Sequence, residues 1–119
     1  MFNNNSIQLR ASLRDLAASS GGAVELAGAG GGSVTSVEYD SRMVKKGSLF
    51  VAVEGFKSDG HRFVAAAADS GAAAVCVARD RAAEFAGLAG RGVEIMTTDD
   101  TRTALSRLSA AFYGFPSRS

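Results

Sequence analysis

Two short, continuously apolar runs stand out in the hydrophobic pattern of the chain. Residues 49–53 are Leu-Phe-Val-Ala-Val, and residues 73–78 are Ala-Ala-Val-Cys-Val-Ala. Unbroken apolar runs of this length, partly β-branched, are typical of strands that are covered on both faces. We therefore predict two buried strands at the centre of a sheet.

Helical spacing marks the segment between these two strands. Asp59 is suited to cap a helix, and Gly71 stands where a left-handed residue commonly ends one. The inner face of this helix is predicted to carry Phe63, Val64, Ala67 and Ala68. Strand, helix and strand in this order predict a right-handed crossover between parallel strands.

Weaker patterns on either side continue the alternation of helices and strands. A first helix is predicted to begin at Ser6, with Leu9, Leu13 and Leu16 on one face, and to stop at the glycine pair 21–22. Further along we predict a glycine-rich loop over 28–33, strands over 34–39 and 93–97, a helix over 79–89, and a last helix from Asp99 to Gly114 and Pro116. The expected fold is α/β: three layers, with a mixed, largely parallel sheet and flanking helices.

Composition and charge narrow the class of protein. The chain has 119 residues, 13 Lys and Arg against 12 Asp and Glu, and one cysteine. One domain is expected, and a formal net charge of +1 gives no electrostatic footprint for nucleic acid or an anionic membrane. No apolar run approaches the ~20 residues that span a bilayer, and the amino terminus does not resemble a secretory signal. A cytoplasmic protein with Cys76 buried as a small hydrophobe is therefore predicted.

Polar groups that could hold a ligand follow two of the predicted strands. Asp40-Ser41-Arg42 comes after the strand over 34–39, at the kind of sheet edge where α/β proteins commonly bind ligands. Phe56-Lys57-Ser58 lies between the strand over 49–53 and the helix start at Asp59. There, free amides would favour phosphate, Lys57 could add a cation, and Phe56 could stack on a flat base.

Each segment also has a purely structural interpretation. Asp40 could accept local amide hydrogen bonds in an Asx turn while Arg42 pairs with a carboxylate. Phe56-Lys57-Ser58 could be an exposed loop with Phe56 packed against a neighbour. The sequence leaves these alternatives open.

Catalytic and metal-binding patterns are absent from the sequence. His61 is the single histidine, so no metal site is expected, and helix-start hydrogen bonding is its predicted role. Ser41 lacks a partner base, and the loop over 28–33 lacks the Lys-Ser/Thr ending of a phosphate-binding loop. A binding domain with no catalytic residues is therefore predicted.

Three motifs occur in the middle of the chain: Asp-Ser-Arg-x-Val-x-x-Gly-x-Leu-Phe-Val-Ala from Asp40, Gly-x-x-x-Asp-Gly-His-x-Phe from Gly55, and Gly-Ala-x-Ala-Val from Gly71. They resemble motifs of the amino-terminal domain of Mur ligases, the enzymes that add amino acids to the UDP-N-acetylmuramoyl-peptide precursor of peptidoglycan. The ending Phe-Tyr-x-x-Pro-Ser from Phe112 is similar to the MurE type, the tripeptide synthetase. MurF-type ligases share the Asp-Ser-Arg and Asp-Gly-His segments, so a MurF-type domain is an alternative, and so is a stand-alone, non-catalytic binding module.

The resemblance implies a site for the UDP part of the substrate. By position, Tyr39 and Ser41 would line the uridine site, and Phe56, Lys57 and Ser58 would form the loop that meets the nucleotide and diphosphate. Asp40, Arg42, Asp59, Gly60 and His61 would support these residues. Many relatives have histidine at the Phe56 position, so a side-chain hydrogen bond is lost there, whereas stacking or backbone contact can remain.

The resemblance also implies how the chain fits into a larger enzyme. Residues 1–98 would be the UDP-substrate-binding domain, and 99–119 a helix and linker that lead toward an ATP-binding domain. The full-length ligase would use ATP and magnesium, and this chain alone would bind neither and be inactive. The expected partners are UDP-N-acetylmuramoyl-dipeptide and the central and carboxy-terminal domains of the same enzyme. No nucleic acid or membrane partner is expected, and the protein is expected to be monomeric.

Overall fold

The structure, a computed structural model, describes residues 10–28, 31–55 and 58–114. Its main sheet has five strands in the order β2-β7-β6-β5-β4, and β1 and β3 form a separate antiparallel pair. The strands are β1 Ala11–Ser12, β2 Val24–Leu26, β3 Ser33–Val34, β4 Ser36–Glu38, β5 Ser48–Val51, β6 Ala74–Ala78 and β7 Glu94–Thr98. The helices are α1 Leu13–Ser19, α2 Val64–Asp69 and α3 Thr101–Tyr113, joined by 3₁₀ segments at Ser41–Met43, Gly60–Phe63 and Arg79–Arg91.

The two predicted central strands lie side by side in the sheet. β5 pairs with β6 in parallel register, with Leu49 opposite Ala74 and Val51 opposite Cys76. Every residue of both strands is buried. β4, β5, β6 and β7 are parallel, and β2 adds an antiparallel edge to β7. The prediction of a mixed, largely parallel sheet is therefore confirmed.

Alternation along β5 divides the core between the two faces of the sheet. Leu49 and Val51 join a cluster with α1 and α3, which includes Leu108. Phe50 joins a second cluster with α2 and the Arg79–Arg91 helix, which includes Val64. Successive side chains of a strand point to opposite faces, so helices on both sides are needed to cover this strand. The result is the expected three-layer arrangement.

The first helix starts later than the sequence pattern suggested. Among the described residues α1 begins at Leu13, where the Ser12 hydroxyl accepts a hydrogen bond from the Asp15 amide at 3.0 Å. Because Ala11 and Ser12 pair with β3, the chain is extended just before this cap. The predicted start at Ser6 and the position of Leu9 lie outside the described residues.

Phe63 was wrongly placed on the inner face of the second helix. Asp59 caps a 3₁₀ turn, Gly60–Phe63, and α2 follows it from Val64. A 3₁₀ turn rotates each residue further round the axis than an α-helix does, so the helical spacing does not extend back through the turn. Phe63 is 39% exposed, whereas Val64, Ala67 and Ala68 are buried as predicted.

Several boundaries also differ from the pattern. The strand predicted over 34–39 is divided between β3 and β4, and Ser33, predicted to be in the loop, pairs in β3. The helix predicted over 79–89 is a 3₁₀ helix over Arg79–Arg91, in which Leu88 alone is buried. Interior glycines at positions 87 and 90 make a regular α-helix costly there. α3 begins at its Asp100 cap and ends at Gly114, and Pro116 lies outside the described residues.

Two further expectations from the sequence concern the cysteine and membrane-spanning segments. Cys76 is fully buried, and this burial raises the pKa of its thiol to about 12, so the thiol is not ionised at neutral pH. None of the helices in the described part of the chain combines the length and apolar character needed to cross a membrane.

Candidate functional site

A depression of about 520 Å³ lies beyond the carboxyl ends of β4 and β5. It brings together the two segments singled out in the sequence, because four of its lining residues follow β4 and the others follow β5. The residues that line it are Tyr39, Asp40, Ser41, Arg42, Val53, Ser58, Gly60 and Phe63. Phe56 and Lys57, the other two predicted loop residues, lie outside the described residues.

Asp40 and Arg42 hold each other in a tight turn. The Arg42 amide and Nε each donate to Asp40 Oδ1 at 3.0 Å, and Arg42 Nη2 donates to Oδ2 at 2.8 Å. These bonds and the arginine charge lower the pKa of Asp40 to about 2, so it is ionised at neutral pH. The Asx-turn interpretation of this segment is thus confirmed. The turn places Ser41 at the start of its 3₁₀ segment, on the wall of the depression.

The loop between β5 and the Asp59 turn is anchored at both ends. At its start, the Glu54 amide donates to Thr101 Oγ1 at 3.0 Å, and Arg102 Nε donates to the Glu54 carbonyl at 3.3 Å. Across the loop, the Gly55 amide donates to the Ser58 carbonyl at 2.9 Å. Residues 54 and 55 are therefore fixed, one against the start of α3 and the other against Ser58.

Free amides were expected at the helix start beside this loop, but three amides of the turn are already hydrogen-bonded within the protein. The Gly60 amide donates to the Val53 carbonyl at 2.8 Å, and the Arg62 amide donates to the Asp59 carbonyl at 3.1 Å. The His61 amide donates to the Asp59 side chain at 2.9 Å. Since Asp59 and the strand end already use these three donors, the amides of residues 60–62 are not available to a phosphate.

His61 is a buried structural residue. Its Nε2 accepts a hydrogen bond from the Ala78 amide at 2.9 Å, so Nδ1 carries the proton and donates to Asp59 Oδ1 at 2.7 Å. Its ring stacks on Phe85 with the centroids 5.9 Å apart. The imidazole joins the end of β6 to the Asp59 turn, in keeping with the hydrogen-bonding role expected from the sequence.

Asp59 is the centre of this group of contacts. Partial burial opposes its ionisation, but hydrogen bonds from His61 and the charge of Arg81 outweigh burial and lower its pKa. Arg81 donates to its Oδ2 and to Glu84. Glu54, Asp59 and His61 have potential metal-ligand atoms within 4.8 Å of one another. Both nitrogens of His61 are already hydrogen-bonded and Asp59 is paired with Arg81, so this group does not fit a metal ion.

A second, polar depression of about 360 Å³ lies beyond the ends of β6 and β7. It is lined in part by Arg79, a residue that the sequence analysis did not single out. Arg79 Nε donates to Asp99 and its Nη1 to Glu25, each at 2.7 Å, which raises the pKa of the guanidinium. These ion pairs tie the edge strand β2 to the end of β7.

The sequence analysis also did not identify Val53 and Phe63 as residues that line the first depression. Their signal was available, because Val53 follows β5 and Phe63 belongs to the Asp-Gly-His-x-Phe motif.

Comparisons with known proteins agree on one family. Residues 33–113 match the family model described as "Mur ligase family, catalytic domain". A UDP-N-acetylmuramoyl-L-alanyl-D-glutamate–2,6-diaminopimelate ligase of Syntrophomonas wolfei is 44% identical over 86 residues, 72% of this chain and 16% of the relative. The ligase of the same name from Chlorobaculum tepidum is 42% identical over 106 residues, 87% of this chain and 20% of the relative.

Solved structures of MurF have a similar fold. A crystal structure of MurF from Acinetobacter baumannii superimposes with a TM-score of 0.64 at 24% identity, covering 87% of this chain and 21% of that one. At this identity the likeness shows the fold alone. The chain spans about a fifth or less of the length of these proteins. Since the family model matches well over half of its residues, the chain belongs to the Mur ligase family.

Proposed function

We propose that this chain is the UDP-binding, amino-terminal part of a MurE-type ligase. The full-length enzyme would add the third amino acid to UDP-N-acetylmuramoyl-L-alanyl-D-glutamate, using ATP, in peptidoglycan synthesis. The observation that carries the proposal is that two separate segments, residues 39–42 and 58–60, line one depression at the carboxyl edge of the sheet. The diaminopimelate-ligase names of relatives at 42–44% identity support the MurE type over the MurF type.

The depression has the chemistry that a nucleotide needs. Tyr39 offers an aromatic ring that is 65% exposed, and Ser41 and Ser58 bring hydroxyl groups to the same walls. The Arg42 side chain is 87% exposed and supplies a cation beside the depression. Because the amides of residues 60–62 are already used, we assign the diphosphate to Arg42 and to Lys57 rather than to these amides.

ATP and magnesium belong, in this proposal, to parts of the enzyme outside this chain. Among the described residues, Glu54, Asp59 and His61 form the group whose side chains are near enough to one another to be considered as metal ligands. It does not fit magnesium, since Asp59 is engaged by Arg81 and both nitrogens of His61 are hydrogen-bonded. The same proposal places the protein in the cytoplasm as a monomer, with UDP-N-acetylmuramoyl-dipeptide and the other ligase domains as its partners.

Calorimetric titration of the 119-residue chain with UDP and with UDP-N-acetylmuramoyl-L-alanyl-D-glutamate tests the proposal. We expect both to bind weakly, because the remaining domains would contact the muramoyl-peptide. Lys57→Ala should reduce the affinity by about 1–3 kcal/mol, the range for hydrogen bonds to charged groups, and the loss should shrink as salt is raised. Lys46→Ala is the matched control, since it removes the same charge at the amino edge of the sheet, just before β5.

Two results would contradict the proposal. One is that the folded chain binds neither UDP nor UDP-N-acetylmuramoyl-L-alanyl-D-glutamate. The other is an equal loss of affinity in Lys57→Ala and Lys46→Ala, which would show a general charge effect in place of a local contact.

A further inference from the structure

Two large, exposed aromatic side chains line the depression. Among the described residues, the large apolar side chains with large exposed fractions are Tyr39 at 65%, Met43 at 54%, Tyr113 at 40% and Phe63 at 39%. Tyr39 and Phe63 both line the depression, one from each of its two segments. Exposed aromatic surface of this kind, beside polar groups, is a common mark of a binding site.

The backbone fixes Phe63 in its outward position. The next residue, Val64, is wholly buried in the second core cluster, whereas Phe63 is 39% exposed, so the two side chains lie on different sides of the turn. Three residues earlier, Gly60 packs against the end of β5, where a Cβ atom would lie 2.7 Å from the Val53 nitrogen. Phe63 is therefore presented by a turn that is held on both sides.

A cation supports the Phe63 ring from outside the depression. The Arg62 guanidinium carbon lies over the ring, 5.6 Å from its centroid. Among the described residues, Phe63 lines the depression and Arg62 does not. The guanidinium thus packs on the Phe63 ring without itself lining the depression.

We propose that Phe63, together with Tyr39, forms the wall on which the flat base of the nucleotide stacks. This inference rests on the proposed function and adds to it a residue that reads the base. The Ser41 and Ser58 hydroxyls lie on the same walls and can exchange hydrogen bonds with the polar edge of a pyrimidine. Stacking contributes affinity for any base, and the hydroxyls contribute the preference among bases.

The test compares UDP with inorganic pyrophosphate, which carries the same phosphates without a base. For the wild-type chain we expect the uracil H5 and H6 resonances to move upfield on binding, because they would lie over aromatic rings. Phe63→Leu should weaken UDP binding by about tenfold and remove most of the upfield shift, while leaving any pyrophosphate binding unchanged. Phe63→Tyr should retain both the affinity and the shift.

Met43→Ala is the control, because it removes an exposed apolar side chain that does not line the depression. It should bind UDP as the wild type does. Tyr39→Leu, at a highly exposed position, provides a second variant that should fold normally and also weaken UDP binding.

The possible failures are distinguishable. If wild-type chain binds UDP, and Phe63→Leu and Tyr39→Leu bind it equally well with the same uracil shifts, the stacking wall is wrong and the proposed function stands. If the wild-type chain binds no uridine nucleotide, both the proposed function and this inference fail. Loss of folding in Phe63→Leu would contradict the exposed placement on which the inference depends.

Discussion

Asp59 joins three parts of the carboxyl edge of the sheet. It caps the turn that leads into α2, fixes the tautomer of His61, and pairs with Arg81 from the helix after β6. A carboxylate with so many donors could be mistaken for a ligand-binding group. Its contacts show that it instead positions the loop and turn that line the depression.

The role of Asp59 predicts a dependence of stability on pH. Its pKa is lowered in the folded state from the ordinary value of 3.8, so ionisation stabilises the fold above that pH. The free energy of unfolding of the wild type should exceed that of Asp59→Asn at pH 7 by about 1 kcal/mol or less, because the carboxylate is 41% exposed and solvent screens it. The difference should disappear as the pH falls through the folded-state pKa.

Urea unfolding of both proteins between neutral pH and pH 3 measures this difference. A gap that stays constant across this range, or that widens on acidification, would show that the Asp59 charge does not stabilise the fold.

Strands were easier to predict than helices, and the reason lies in how each is buried. β5 and β6 are covered on both faces, so their apolar runs were readable without knowledge of their neighbours. The α2 region consists of a 3₁₀ turn followed by a short α-helix. The point where the turn ends depends on packing against Val53 and the second core cluster, which the sequence pattern does not show. For this reason the predicted position of Phe63 was wrong, and the amides of residues 60–62 are not free as the sequence suggested.

The convergence of the candidate site followed from topology. Residues after adjacent parallel strands meet at one sheet edge, so Ser41 and Ser58 could be expected to lie near each other. Which donors remain available there could not be predicted, because that depends on the cap that Asp59 forms and on hydrogen bonds to Val53.

The junction between α2 and β6 makes a sharp prediction about glycine. Gly71 has φ +107°, and a Cβ atom there would lie 2.9 Å from the Lys46 Cα. Gly92, before β7, has φ +83°, and a Cβ atom added to it would have no neighbouring atom within 4 Å. Gly92→Ala should cost about 1–2 kcal/mol through backbone strain alone, and Gly71→Ala about 1–3 kcal/mol more through backbone crowding.

The urea midpoints of the two variants separate the cost of crowding from the cost of backbone strain, because both variants replace a glycine at positive φ. Equal losses would show that the loop before β5 moves away freely and that its contact with Gly71 does not constrain the fold.

The chain packs as one unit from α1 to α3. Leu13 and Leu16 of α1 share a core cluster with Ala104, Leu108 and Phe112 of α3. The last helix thus completes the fold, whatever its role in leading toward further domains. The proposed division after residue 98 concerns function and stays a prediction.

The centre of the sheet predicts the fate of a charge placed there. Val51 is fully buried between neighbouring strands, so Val51→Asp would bury an unpaired carboxylate at a cost of several kcal/mol. Because domains of this size are stable by only about 5–15 kcal/mol, we expect this variant to be largely unfolded in circular dichroism. Ala83→Asp, at an exposed position of the Arg79–Arg91 helix, is the control and should unfold like the wild type. A Val51→Asp variant with unchanged thermal unfolding would place Val51 outside the core.

The central claim is that a uridine nucleotide binds in the depression formed by the segments after β4 and β5. Amide chemical-shift mapping of the isotope-labelled chain during a UDP titration tests it most directly. We expect the largest, saturable shifts to fall on residues 39–42 and 55–63. Shifts confined to the amino edge around Lys46 and Gly71, or an unchanged spectrum at high UDP concentration, would contradict it.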